Sequence, residues 1–375
     1  MTPKIEEFVA RHRPETPCLL FDLGILADNY QRLRAALPMA EIYYAVKANP
    51  AAPVLQTLAG LGSNFDAASL AEIDRCLAAG ADASRIAFGN TIKKQSDIAA
   101  AFALGVRVFS FDCSEELEKL AIAAPGASVV CRIFVDNDGA CWPLGAKFGC
   151  AAGAASDLLV RAQASGLAPH GVAFHVGSQQ TDLASWDLAI GQAAMIFTEL
   201  RERGVEVPVL NIGGGVPVAY AQDAPEEETV ITAIQQSLAR HFGNRMPVIM
   251  AEPGRCLSAT AGMVRSEVVL ATKREGTVAR WVYLDIGKFG GLAETIDEAI
   301  QYPIVTQRDG GNPVATVLAG PTCDGADVLY QSAGYQLPSE LRAGDWVEFR
   351  HAGAYTASYA SVGFNGFGPL KEYYL

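Results

Sequence analysis

The feature that most constrains the fold is a regular alternation of short β-rich runs with amphipathic helical patterns between about residues 40 and 255. The eight predicted strands read EIYYAVKAN, SNFDAAS, RIAFGN, VRVFSFD, SVVCRIFV, GVAFHVGS, VPVLNIGGG and PVIMAEPGR. Segments with a helical pattern lie between them, as in SLAEIDRCLAAG, where Ser69 and Glu72 are predicted to form a capping box. This alternation predicts an α/β fold with a (β/α)8 barrel, and an open doubly wound sheet is the structural alternative.

The pattern changes after about residue 262. The segments MVRSEVVLATKREGTVARWVYLDIG, NPVATVLAG and LRAGDWVEFRHAGAYT alternate apolar and polar residues and are broken by turn residues. They predict a mostly antiparallel β-rich domain, to which the N-terminal TPCLLFD can add a strand. We therefore expect a barrel over residues 23–260 and a β-rich domain made of residues 1–22 and 261–375.

Composition excludes several classes of function. The 375 residues include 41 acidic and 29 basic side chains, a net charge of −12 that argues against nucleic-acid binding. We find neither a secretory signal nor an apolar run long enough to cross a bilayer, so a cytoplasmic protein without a membrane span is expected. The eight cysteines form no C-x-x-C pair and are not grouped with the five histidines at zinc spacing, so we predict reduced thiols and no metal site.

Functional side chains of such barrels lie at the C-terminal ends of the strands, and the residues at these ends are unusually polar here. They are Lys47, Asp66, Asn90, His175, Ser178, Gly213, Gly214, Gly215, Glu252 and Arg255. A surface lysine and a plain tight turn are the ordinary explanations for Lys47 and for the glycines. However, three glycines and an arginine after the last two strands suit a phosphate. Together with a lysine, a histidine and a carboxylate, they point to pyridoxal 5'-phosphate.

A set of motifs in order along nearly the whole chain carries a family resemblance. The motifs are YYAVKANP, FDAAS, KFG, FHVGSQ, IGGG, AEPGR, GPTCDGADVL and GAYTASYASVGFNGF. With them the sequence resembles the alanine-racemase-like, fold-type III pyridoxal-phosphate decarboxylases, and among these the ornithine and lysine/ornithine decarboxylases. The resemblance implies a carboxy-lyase that acts on a small cationic amino acid and forms a homodimer with shared active sites.

Four barrel residues take catalytic roles by this resemblance. Lys47 forms the imine with the cofactor, and a desolvated position would hold its amine neutral more easily. Asp66 matches the acidic residue near this lysine. His175 stacks on the pyridine ring, and Glu252 pairs with the pyridine nitrogen and keeps it protonated.

The remaining roles also rest on the resemblance. The phosphate-side contacts are Ser178, Gly213, Gly214, Gly215, Arg255 and Tyr355. Cys323 donates a proton to the substrate Cα in the neighbouring subunit's site. The substrate's second ammonium faces Asp297 and Asp324, and Phe364 shapes the pocket. The neighbouring Glu294 and Glu298 are expected to be solvated surface acids.

The substrate predicted first is L-ornithine, which would give putrescine for polyamine biosynthesis, followed closely by L-lysine, which would give cadaverine. Diaminopimelate decarboxylase is an alternative, although such enzymes usually carry Glu after the proton-donor Cys where this chain has Asp324. A non-catalytic pyridoxal-phosphate-binding homologue or regulator and an amino-acid racemase are further alternatives. The presence of Lys47, Cys323 and a second domain favours the decarboxylase.

Overall fold

The computed structural model describes residues 2–143 and 147–375. Its chain divides into two compact units, which we call the barrel unit and the sheet unit. The barrel unit comprises Tyr30–Pro217 and Pro225–Gly254. The sheet unit comprises Met1–Asn29, Val218–Ala224 and Arg255–Leu375.

The described elements alternate between strand and helix through most of the chain. The helices are α1 (Pro3–His12), α2 (Leu23–Ala36), α3 (Ala52–Gly60), α4 (Leu70–Ala78), α5 (Gln95–Ala103), α6 (Ser114–Ala123), α7 (Ala152–Ala164), α8 (Ala184–Glu202), α9 (Glu227–Phe242) and α10 (Arg255–Ser258). The strands up to residue 251 are β1 (Cys18–Phe21), β2 (Ala40–Ala45), β3 (Asn64–Ala67), β4 (Ile86–Phe88), β5 (Val108–Phe111), β6 (Ser128–Arg132), β7 (Ala140–Trp142), β8 (Ala168–Ala173), β9 (Ser178–Gln180), β10 (Val209–Asn211) and β11 (Val248–Ala251). Those that follow are β12 (Gly262–Lys273), β13 (Arg280–Leu284), β14 (Ile304–Thr306), β15 (Pro313–Ala319), β16 (Val328–Tyr330), β17 (Gln336–Pro338), β18 (Trp346–Arg350) and β19 (Lys371–Tyr374).

The barrel unit contains a closed parallel barrel in the order β2-β3-β4-β5-β6-β8-β10-β11, and β11 pairs with β2 to close it. The strands are buried because helices cover parallel sheets, which explains why they read as nearly continuous apolar runs. The closed barrel confirms the predicted (β/α)8 fold and excludes the open doubly wound sheet. The predicted capping box of α4 is also present, because Ser69 Oγ accepts a hydrogen bond from the amide of Glu72 at 3.3 Å.

The sheet unit contains a nine-stranded sheet whose main path runs β14-β18-β12-β13-β15-β16. Strand β12 pairs antiparallel with both β13 and β18. Strand β1 pairs antiparallel with β12, which confirms that TPCLLFD adds a strand to this sheet. In the described part of the chain, no helix is long and apolar enough to cross a membrane.

Candidate active site

Lys47 and Asp66 meet at the C-terminal ends of neighbouring barrel strands. Lys47 lies in a 3-10 turn (Val46–Ala48) that follows β2 directly, and Asp66 lies in β3. The register of the two parallel strands pairs Ala45 with Asp66, which places Lys47 Nζ 3.6 Å from Asp66 Oδ2. Two expectations about Lys47 are wrong. The strand ends at Ala45, and because the turn carries the lysine out of the sheet, its side chain is 49% exposed rather than desolvated.

Asp66 itself is buried, with 5% of its side chain exposed. Gly89 makes room for it, because a Cβ on this glycine would lie 1.9 Å from Asp66 Oδ1. In the part of the chain that the structure describes, the buried Oδ1 atom accepts no hydrogen bond. Buried polar atoms are usually satisfied, so an orphaned carboxylate oxygen beside an accessible amine suits a site that binds a polar ligand.

His175 lies in the connection between β8 and β9, so the single predicted strand GVAFHVGS is divided in two. Its Nδ1 accepts a hydrogen bond from the amide of Gly177 at 3.0 Å, which leaves the hydrogen of a neutral ring on Nε2. Burial, together with the positive charges of Arg132 and Lys47, holds the pKa of His175 well below its usual range. The imidazole is therefore uncharged at neutral pH.

The glycine run after β10 passes very close to the backbone on either side. A Cβ at Gly213 would lie 2.4 Å from the carbonyl oxygen of Phe174, and one at Gly214 would lie 2.7 Å from that of Glu252. Gly213 and Gly215 also have positive φ angles of 65° and 101°. Glycine is required here on steric grounds alone, so the phosphate-side role of this run stays a prediction. Ser178, the first residue of β9, is half-buried, and its predicted phosphate contact stays a prediction as well.

Glu252 follows β11 and is fixed by Asn211. Asn211 Nδ2 donates to Glu252 Oε1 at 2.6 Å, while its own Oδ1 accepts from the amide of Gly213 at 2.9 Å. Burial and the negative charge of Asp66 raise the pKa of Glu252 to about 7, although Lys47 opposes this. A carboxyl group with this pKa can exchange a proton with a pyridine nitrogen at neutral pH.

Sequence reasoning missed two residues of this cluster, Asn211 and Arg132. Asn211 stands directly before IGG, and Arg132 is the one charged residue in the run SVVCRIFV. Arg132 ends β6 and lies with its guanidinium carbon 5.4 Å from the ring centre of Phe148. Its charge lowers the pKa of both His175 and Glu252. A lone charge in an apolar strand is the signal that could have identified it.

The raised pKa of Glu252 predicts a pH-dependent stability of the cofactor-free protein. A carboxyl group whose pKa is higher in the folded than in the unfolded state stabilises the fold at low pH, and this contribution disappears as pH rises from about 4.5 to about 7. We expect the wild type to lose on the order of 2–3 kcal/mol between pH 4.5 and pH 8 relative to Glu252→Gln. Urea unfolding of both proteins at each pH measures this, with the exposed Glu202→Gln as control. If the stability of wild type and of Glu252→Gln changed with pH in the same way, the raised pKa of Glu252 would be contradicted.

The sheet unit holds Arg255 in a buried ion pair. Both terminal nitrogens of Arg255 donate to Glu294, at 2.6 and 2.7 Å, and Nη1 also donates to the hydroxyl of Tyr220 at 3.1 Å. The ring centre of Tyr355 lies 4.8 Å from the guanidinium carbon, so these two predicted phosphate-side residues are neighbours. The expectation that Glu294 is a solvated surface acid is wrong, since it is 3% exposed and compensates the buried arginine.

The segment PTCDGADV forms an exposed turn that is held in place by the buried side chain of Asp327. Asp327 is 2% exposed and accepts from the hydroxyl of Thr322 at 2.7 Å and from the amide of Lys288 at 2.8 Å. Cys323 and Asp324 are exposed at the tip of this turn. The amide of Cys323 donates to Asn365 Oδ1 at 3.0 Å, next to Phe364.

The other predicted substrate residues also lie in the sheet unit. Asp297 is exposed and has a left-handed backbone (φ 53°, ψ 20°), whereas Phe364 packs edge-on against Phe289 with ring centres 5.0 Å apart. The expectation that Glu298 is a solvated acid is wrong, because its Oε1 accepts hydrogen bonds from the amides of Gln331 and Ser332.

These residues define a class of protein. A parallel barrel with an accessible strand-end lysine, an orphaned aspartate oxygen, a neutral histidine and a glutamate with a pKa near 7 fits the reactive and pyridine ends of pyridoxal phosphate. The residues present therefore suit the predicted cofactor.

Comparison with known proteins agrees with this class. Residues 23–259 match the family described as pyridoxal-dependent decarboxylase, pyridoxal binding domain. The chain belongs to this family of pyridoxal-phosphate-dependent decarboxylases, which confirms the predicted cofactor and enzyme class.

Similar proteins cover nearly the whole chain. A lysine/ornithine decarboxylase of Selenomonas ruminantium is 38% identical over 95% of this chain and 88% of its own length. A crystal structure of a lysine/ornithine decarboxylase from Vibrio vulnificus complexed with cadaverine has a TM-score of 0.89 at 32% identity and covers 99% of this chain and 97% of its own. The arginine decarboxylase of Paramecium bursaria Chlorella virus bound to agmatine has a TM-score of 0.91 at 30% identity, with 100% of both chains covered.

Proposed function

We propose that this protein decarboxylates a basic diamino acid, L-ornithine first and L-lysine close behind, to putrescine and cadaverine. The observation that carries this proposal is the contact between Lys47 and Asp66 at the strand ends of the barrel. The chain belongs to a family of pyridoxal-dependent decarboxylases. The similar proteins named for lysine/ornithine and arginine decarboxylation support a basic substrate. Diaminopimelate is the second candidate, but Asp324 follows Cys323 where those enzymes usually carry Glu.

Pyridoxal phosphate, when bound, supplies an electron-accepting ring that stabilises charge on the substrate Cα as carbon dioxide leaves. Lys47 would hold the cofactor through its side-chain amine, and Asp66, 3.6 Å away, would orient that amine. Glu252, fixed by Asn211, holds the proton at the pyridine nitrogen, and neutral His175 covers the ring face without opposing that positive charge. In this assignment Ser178, the glycine run, Arg255 and Tyr355 hold the phosphate.

The sheet unit would supply the remaining roles. Cys323 Sγ delivers a proton to the substrate Cα after carbon dioxide has left, and Asp297 and Asp324 bind the second ammonium of the substrate through their carboxylates. All three residues are exposed, as groups that meet a ligand from solution should be. Phe364, 38% exposed, shapes the pocket by presenting an apolar ring.

We also propose a homodimer in which the Cys323 turn completes the site of the partner. The segment next to this turn exposes four apolar side chains, with Tyr359 48%, Val362 68%, Phe364 38% and Phe367 42% exposed. Exposed apolar clusters of this kind mark interaction surfaces. A second copy would cover them and would bring Cys323 to the substrate.

We place the enzyme in the cytoplasm. Eight cysteines in one chain suit a reducing compartment, and in the described residues none of them forms a disulfide.

The decisive experiment measures carbon dioxide and amine release from the cofactor-loaded protein given ornithine, lysine, arginine or meso-diaminopimelate separately. Putrescine or cadaverine as the main product supports the proposal. Because one methylene changes specificity by only about 1–3 kcal/mol, we expect both to form, with ornithine favoured. Lysine as the main product of diaminopimelate would establish the alternative, and release from none of the four would favour a non-catalytic carrier or regulator.

Replacing Cys323 by alanine tests the proton donor. We expect Cys323→Ala to bind cofactor normally and still release carbon dioxide. The yield of amine per carbon dioxide should fall, because without the thiol a proton is delivered to an atom other than the substrate Cα. Chromatography of the amine alongside carbon dioxide release measures this ratio. The half-buried Cys113→Ala is the matched control, and an unchanged ratio in Cys323→Ala would exclude the role.

Shared sites can be tested by mixing two variants that are each defective in amine production. If Lys47 and Cys323 act from opposite subunits, reassociating equal amounts of Lys47→Ala and Cys323→Ala restores about one quarter of the wild-type sites, because half of the dimers are mixed and each of these has one intact site. Sedimentation measures the dimer, and amine production measures the recovery. Recovery at the level of the unmixed variants would show that each site is built within one chain.

A further inference from the structure

The turn that carries Asp297 has an unfavourable backbone. Asp297 and Glu298 both have positive φ angles, 53° and 57°, in a region that side chains other than glycine seldom adopt. Ile296, just before them, leaves the helical region with a ψ of 132°. Such a conformation persists only where surrounding contacts enforce it, and it is enriched at ligand-binding positions.

Contacts of neighbouring residues fix the two ends of this turn. At its start, Glu294 pairs with Arg255 and its carbonyl accepts from the amide of Ile300 at 3.1 Å. At its end, the hydroxyl of Tyr330 donates to the carbonyl of Ile300 at 2.6 Å and accepts from the amide of Tyr302 at 3.0 Å. These contacts hold the ends but not the centre, where Asp297 is exposed.

The centre is held by the carboxylate of Glu298. A single oxygen, Oε1, accepts hydrogen bonds from two successive amides, that of Gln331 at 2.6 Å and that of Ser332 at 2.7 Å. These amides immediately follow β16, which belongs to the nine-stranded sheet. Because one side-chain oxygen accepts from two successive amides, Glu298 ties the strained centre of the turn to the end of a strand in the nine-stranded sheet.

We propose that Glu298 is a positioning residue for substrate selection, which fixes the carboxylate of Asp297 where the distal ammonium of a diamino acid binds. This rests on the proposed function, in which Asp297 binds that ammonium. Glu298 acts through its hydrogen bonds to the two amides and not through its charge. Without them, Asp297 can leave the left-handed conformation, and the protein loses preference for substrates with a second amine.

Two substitutions separate hydrogen bonding from charge. Glu298→Gln keeps an oxygen that accepts from both amides, whereas Glu298→Ala removes it. We expect Glu298→Ala to raise KM for ornithine and lysine by about tenfold, the effect of losing such hydrogen bonds, with kcat within about twofold of wild type. Glu298→Gln should retain the wild-type KM. Equal losses in both variants would show that the charge acts directly, and no loss in either would overturn the proposal.

Norleucine, which lacks the second amine, provides an independent readout. Its inhibition constant should be the same for wild type and Glu298→Ala, because norleucine makes no use of Asp297. In an Asp297→Asn background, adding Glu298→Ala should change KM for ornithine by less than twofold. A norleucine constant that rises with KM, or fully additive effects, would indicate general disruption of the site and would overturn the proposal.

Amide hydrogen exchange reports the contact without any turnover. Exchange at Gln331 and Ser332 should accelerate in Glu298→Ala and stay slow in Glu298→Gln, with the exposed Glu275→Ala as matched control. Failure of wild type to decarboxylate any diamino acid would refute the proposed function. Normal wild-type turnover with unchanged KM and exchange in Glu298→Ala would refute only the role of Glu298.

Discussion

Replacing Lys47 by alanine is expected to abolish both covalent retention of the cofactor and catalysis. The amine of Lys47 lies 3.6 Å from Asp66 and is accessible, with 49% of the side chain exposed. Since this amine is the proposed attachment point, its removal should lower kcat by on the order of 10³-fold or more. Borohydride treatment followed by mass spectrometry should detect the cofactor on wild type and not on Lys47→Ala.

The matched control is Lys94→Ala, which removes an exposed lysine of the same unit. Both activity and borohydride labelling should match the wild type in this protein. A Lys47→Ala variant that kept either the covalent label or the activity would require another attachment point and would invalidate the assignment.

The second large effect concerns the ion pair of Arg255 and Glu294, each of which has 4% of its side chain exposed. Glu294→Ala leaves a buried guanidinium without its counter-ion and should lower the free energy of unfolding by about 3–5 kcal/mol. Glu294→Gln should cost less, because its amide oxygen still accepts one hydrogen bond. Urea unfolding at pH 7 measures all of these changes.

Two controls separate loss of charge balance from loss of packing. The exposed Glu275→Ala should shift stability by less than about 0.5 kcal/mol. The double variant Arg255→Met, Glu294→Leu, which removes both charges, should recover most of the loss, since an apolar pair avoids the cost of burying ions. A loss below about 1 kcal/mol in Glu294→Ala, with no recovery in the double variant, would show that the pair is not required for stability.

The sequence predicts the fold well because its signals are local. Short apolar runs that alternate with amphipathic helical segments predict the closed barrel. The apolar run TPCLLFD predicts β1 as a strand of the sheet in the sheet unit. Residues placed by strand ends, such as Lys47 and Asp66, also meet as expected because adjacent parallel strands end side by side.

The misjudged residues depend on contacts between distant parts of the chain. Glu294 and Glu298 look like surface acids because no residue within five positions of either is basic. Their partners, Arg255 and the amides after β16, lie far away in sequence. Asn211 has an ordinary strand-end appearance, and only the folded barrel brings its amide to Glu252. The position of Lys47 in a turn is likewise not predicted, because the preceding run YYAV is rich in residues that favour a strand.

The double contact of Asn211 limits how this enzyme could be altered by evolution or by protein engineering. One side-chain amide donates to Glu252 and accepts from Gly213, so a substitution meant to change the acidity of the glutamate also releases the glycine run. In the proposed assignment, the proton at the pyridine nitrogen and the contacts to the phosphate therefore depend on the same asparagine. Arg132 lowers the pKa of Glu252 through its charge, so it offers a separate site for adjusting this pKa while the hydrogen bond from Gly213 to Asn211 is left intact.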